Sequence, residues 1–68
     1  MQLTAVVSKA PEGGYVAMNP ETGTTTQGET VDDALANLKE ATELYLGEAG
    51  TPSIGKAIVT TIDVATHA

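Results

Sequence analysis

One histidine, His67, two serines, Ser8 and Ser53, and no cysteine bound the chemistry open to this sequence of 68 residues. A Ser8–His67 or Ser53–His67 pair would need an orienting third group and oxyanion donors. The G-x-S-x-G turn that presents such a nucleophile does not occur. His67 lies next to the final residue, where a solvated tail is the expectation. Without cysteine there is neither a disulfide framework nor a thiolate metal site, and one imidazole among carboxylates is a poor zinc set. Gly13-Gly14 and Gly47/Gly50 match neither G-x-x-x-x-G-K-[ST] nor G-x-G-x-x-G, so no phosphate loop is read. Tyr15 and Tyr45 have no basic groove beside them and read as core-edge residues, not a base-stacking platform. No catalytic, cofactor-binding or metal-binding residue is assigned, and the chain is not expected to be an enzyme.

The carboxylates are the informative residues. Nine Asp+Glu against three Lys+Arg give a formal net charge of −6, which argues against binding a phosphate backbone. Asp32, Asp33, Asn37, Glu40 and Glu43 fall off the apolar stripe of a helix, with Lys39 the one basic residue among them. Asp32 and Asp33 have a local explanation, because carboxylates in a first helical turn are favoured by the macrodipole. Glu43 and Glu48 sit near the other end, where negative charge is mildly unfavourable. Two meanings remain open for this face: a solvated surface that keeps the protein soluble, or electrostatic complementarity to a basic partner. No apolar run approaches about 18 residues, and the N-terminus lacks the basic and apolar regions of a signal peptide. A cytoplasmic protein is expected.

The elements that must position these residues follow from periodicity. Leu3, Ala5 and Val7 alternate with neighbours through Gln2–Lys9, and predict a first strand over residues 2–9. Pro11-Glu12-Gly13-Gly14 is turn chemistry, Tyr15–Asn19 a return strand, Pro20–Gly23 a second turn and Thr24–Gln27 a third strand. Val31, Ala34, Leu35, Leu38, Ala41, Thr42 and Tyr45 then recur at helical spacing. Thr30 as N-cap and Asp33 as a capping-box variant set the start, and Gly47 as a C′ glycine sets the end, giving a helix over 31–46. Ile58, Thr60, Ile62 and Val64 alternate again and predict a fourth strand over 57–65.

The order is βββαβ in a single domain, residues 1–68. A right-handed crossover places strand four beside strand one in a mixed sheet of order 3-2-1-4, with the helix on one face. One helix cannot cover both faces. Val6, Val16 or Tyr15, and Val59 would lie on the other, so a homodimer or higher homo-oligomer is expected. A domain this small is marginal alone.

The stretch from Gly13 to Glu48, GGYVAMNPETGTTTQGETVDDALANLKEATELYLGE, resembles the HicB family of antitoxins, which share a GGYVA-like hairpin, a TQG-(E/D)-T cap and an EALANLKEAIELYLE-like helix. The closing VTTIDVATHA is similar to the last strand of short members. The resemblance implies an α+β, partial RNase H-like βββαβ fold. It also implies a partner, a basic HicA-type toxin that cleaves mRNA and would be sterically neutralised. On that footing Asp32, Asp33, Asn37, Glu40 and Glu43 are the candidate partner-binding residues. Longer members carry a DNA-binding segment after strand four, where this sequence stops, so no direct DNA binding is expected. An RNase H-like fold invites a two-metal nuclease, but such a site needs converging carboxylates, and Gln2–Lys9 contains none. The competing expectation is a stand-alone homo-oligomeric domain of structural or unknown role that has lost its toxin.

Overall fold

Short apolar runs punctuated by turn residues build the first half of the chain. In the computed structural model, which describes residues 1–52 and 54–66, they form β1 (Val6–Lys9), β2 (Tyr15–Asn19) and β3 (Thr24–Gly28). The three make an antiparallel sheet in the order β1-β2-β3. Ala17 of the central strand stands opposite Val7 on one side and Thr26 on the other. Because side chains alternate across a strand, Val7, Ala17 and Thr26 share one face, and Val6, Met18 and Thr25 share the other. The β1–β2 turn is closed by the Ala10 amide on the Gly14 carbonyl at 3.0 Å.

The second half supplies a single helix, α1 (Val31–Ala49), laid across the Ala17 face. Thr30 caps it as expected: the Thr30 hydroxyl accepts from the Asp33 amide at 3.0 Å. Ala34 and Leu38 are buried against Ala17, with Val7 and Tyr15 packed around them. Gly28 lets strand and helix approach this closely. A Cβ there would lie 2.8 Å from the Ala34 Cα, well inside van der Waals contact. The Thr26 hydroxyl, on the same face, donates to the Ala34 carbonyl at 3.1 Å.

The α+β class, a three-stranded meander and a helix on one face agree with expectation. Four details do not. The helix runs past Gly47 to Ala49 and ends at Gly50, whose φ is 80° and whose amide bonds the Leu46 carbonyl at 2.9 Å. A glycine inside a helix costs only about 1 kcal/mol relative to alanine, Glu48 and Ala49 are helix formers, and Pro52 stands just beyond the cap. Val31 and Tyr45, assigned to the apolar stripe, are half-exposed at the helix ends. The first strand starts at Val6 and not at residue 2, because side chains replace the ladder at Thr4. The Asn19 side-chain amide donates to the Thr4 carbonyl, and the Glu21 carboxylate accepts from the Thr4 amide, both at 2.7 Å.

The fourth difference is the largest. Residues 57–66 form no strand and join no sheet among the described residues. They form an arm on which Ile58, Val59, Ile62 and Val64 are exposed. The radius of gyration is 13.9 Å, against about 11 Å for a compact domain of this length. The edge of β1 that strand four was expected to occupy carries no strand.

Candidate functional site

The five residues singled out on the helix lie on its outer side, and all are exposed. At 3.6 residues per turn, Asp32, Asp33, Asn37, Glu40 and Glu43 fall within a sector of roughly 140°, opposite Ala34, Leu38 and Thr42. With a rise of 1.5 Å per residue the stripe is about 16 Å long. Asn37 has a structural bond as well: its side-chain amide donates to the Gln27 carbonyl at 2.7 Å and ties the helix to β3. The face therefore holds four carboxylates and one fixed amide, fit for long-range attraction of a cation-rich surface. Among the described residues no three His, Asp or Glu side chains converge as metal ligands. Ser53 and His67 lie outside the described residues, and so does the Ser53–His67 pairing.

A different carboxylate, buried and fully hydrogen-bonded, stands apart from this face. Glu21 leaves the turn after β2 and is 7% exposed. One oxygen, Oε1, accepts from the Thr4 amide and the Asn19 side-chain amide, each at 2.7 Å. The other, Oε2, accepts from the Thr4 hydroxyl at 2.7 Å and from the Ala57 amide. A carboxylate offers about four acceptor positions, and all four are used. Burial pushes the Glu21 pKa up, but the bonds from Ala57, Thr4 and Asn19 to the charged form outweigh it and hold the carboxyl at about 2, against an ordinary 4.5.

Asn19 organises the same turn. Its Oδ1 accepts from the Thr22 amide at 2.8 Å and the Thr22 hydroxyl at 2.6 Å, while the Gly23 amide bonds the Asn19 carbonyl at 2.8 Å. Sequence reasoning reads Pro20–Gly23 as a turn and nothing more. An asparagine opening a turn is a known local acceptor, so the Asn19–Thr22 bonds carry a sequence signal. The burial of Glu21 carries none, because apart from Asn19 its partners come from residues 4 and 57.

Beside this cluster a groove of about 350 Å³ runs between the N-terminal residues and α1. Leu3, Leu35, Leu38 and Leu46 line it together with Thr42. Thr42 is buried, and its hydroxyl has no hydrogen-bond partner among the described residues. A buried polar atom left unpaired costs about 1–3 kcal/mol.

Residues 5–67 match a family of unknown function, DUF7387. The chain belongs to that family. Over 49 residues it is 47% identical to a UPF0150 protein of Helicobacter pylori, covering 71% of this chain and 67% of the relative. It is 46% identical over 46 residues to the UPF0150 protein ssl0738 of Synechocystis, covering 66% of this chain and 64% of the relative. The chain spans about two-thirds of the length of these relatives. No solved structure matches it. No helix among the described residues is long and apolar enough to cross a membrane.

Proposed function

We propose that this chain is an antitoxin-like binding module that docks on a basic, HicA-type mRNA-cleaving toxin and blocks it sterically, with no catalysis of its own. The observation that carries the proposal is the acidic stripe: Asp32, Asp33, Glu40 and Glu43 exposed along one side of α1, in a protein of net charge −6. A protein that grips RNA must present Lys and Arg to phosphate. An acidic helix of fixed geometry competes for that same surface and raises the association rate more than the affinity. The hairpin, cap and helix residues from Gly13 to Glu48 resemble those of HicB antitoxins and support the same partner class. The partial RNase H-like sheet of four strands belongs to this proposal, with residues 57–65 as the added strand. With three Lys+Arg in all, the module binds no operator DNA directly.

The test is reconstitution. The product of the neighbouring reading frame is purified and assayed for mRNA cleavage with and without the chain. Stoichiometric loss of cleavage, with a stable complex on gel filtration, is the expected outcome. Undiminished cleavage at micromolar excess of the chain overturns the proposal.

A further inference from the structure

An arm, a strand edge and a groove of this chain are complementary, yet within one copy they meet only at the arm's root, where the Ala57 carbonyl accepts from the Thr4 hydroxyl at 3.3 Å. The edge is β1, whose outward side carries no strand. Such an edge presents unpaired N–H and C=O groups and is a template for another strand. The groove is the one between the N-terminal residues and α1, where Leu3, Leu35, Leu38 and Leu46 surround a Thr42 hydroxyl with no partner among the described residues, and Lys39 and Glu43 stand on its helix side. The arm begins at Ala57, whose amide is clamped by Glu21. Beyond that clamp the chain leaves the body, with Ile58 89% and Ile62 80% exposed.

We propose that the arm of one copy adds as a fourth strand to the β1 edge of a second copy, in a reciprocal exchange that closes a two-fold dimer. The occupant is a second copy because the arm's own pattern fits what it would cover. At period two, Ile58, Thr60 and Ile62 share a face: apolar, hydroxyl, apolar. Ile58 and Ile62 would cover the groove's leucines, and Thr60 between them would give the unpaired Thr42 hydroxyl a partner. Val59 and Asp63 fall on the opposite side, which leaves the arm's one charge in solvent. The Glu21 clamp fixes where the arm starts, so both arms of a symmetric pair depart equivalently, as an isologous interface requires. The exchange does not rest on toxin binding, although Glu43 of the acidic stripe also lines the groove.

Light scattering at micromolar concentration is expected to give twice the 6.9 kDa chain mass. The double variant Ile58→Lys/Ile62→Lys is expected to fall to the single chain mass with its helical circular dichroism intact, since neither side chain packs on its own body. A monomeric wild type, with the arm folded on its own edge or free, overturns the exchange, as does a folded variant that stays dimeric. Amide hydrogen exchange on the wild type at high and low concentration needs no variant. The outward amides of Val6–Lys9 are expected to slow as concentration rises. A dimer in which they exchange equally fast at both concentrations has its arms paired with each other, and overturns the proposal.

Discussion

Glu21 and Ala57, 36 residues apart, are joined by a hydrogen bond from the Ala57 backbone amide to the buried Glu21 carboxylate. The same carboxylate holds Thr4 by both its amide and its hydroxyl. One side chain in a turn thereby fastens the segment before β1 and the root of the arm.

That arrangement makes stability depend on pH with a definite sign. The Glu21 carboxyl titrates at about 2 in the fold and at 4.5 ordinarily, so the unfolded state binds the proton more readily. Its contribution is fully present above pH 4.5 and is lost as pH falls through 2. Glu21→Gln places an amide donor among groups that are already donors. The expected outcome is a lower Tm at pH 7, with the gap to wild type narrowing between pH 4.5 and pH 2. Thermal melts across that range check it, and a constant gap removes the carboxylate's charge from the explanation.

Gly28→Ala tests the contact between β3 and α1. The added methyl meets the Ala34 backbone, not a side chain that could turn away, so the helix itself must shift. A loss of about 1–3 kcal/mol or more is expected from such overpacking, read from urea denaturation. Gly47→Ala, where a Cβ meets nothing, should instead gain up to about 1 kcal/mol from helix propensity.

Leu38 and Leu44 are the same residue type on the same helix, 5% and 67% exposed. Leu38→Ala is expected to cost about 2–5 kcal/mol, and Leu44→Ala to stay within about 0.5 kcal/mol. Denaturation midpoints decide it. Equal effects would contradict the packing of α1.

Charge reversal separates the two meanings of the acidic stripe. If the proposed basic toxin docks here, Glu40→Lys/Glu43→Lys slows its association strongly at 0.01 M salt and little at 1 M, because the screening length falls from about 30 Å to about 3 Å. Stopped-flow association rates measure this. An unchanged rate at low salt leaves these carboxylates as a solvated face.

What the sequence makes legible is local. The bounds of β2 can be read because Gly13-Gly14 precede it and Pro20–Gly23 follow. The start of α1 can be read because Thr30 is a cap with an apolar stripe behind it. The helix end is misplaced by three residues, since Gly47 and Gly50 look alike in a string of letters and only the second takes positive φ. The face assigned to Val16 or Tyr15 resolves by register, Val16 standing between Ser8 and Gln27 away from the helix. The candidate stripe was legible because exposure on a helix follows from period alone. The Glu21 cluster was not, because nothing near residue 21 announces residues 4 and 57. Residues 57–65 have the alternation expected of a fourth strand, but alternation states only that a segment suits a sheet, not that it joins one.

The arm's root also decides where a protease can enter. Three lysines are the only basic residues of the chain, and they fall in three different settings. Lys9 closes β1, Lys39 lies within α1, and Lys56 belongs to no element. Trypsin needs an extended, locally opened backbone, and cleavage at a site inside a strand or helix waits on unfolding. Limited digestion should therefore nick the chain first after Lys56, at the rate at which the Ala57 amide leaves Glu21, releasing the arm as one short peptide and leaving β1 to α1 as a single fragment.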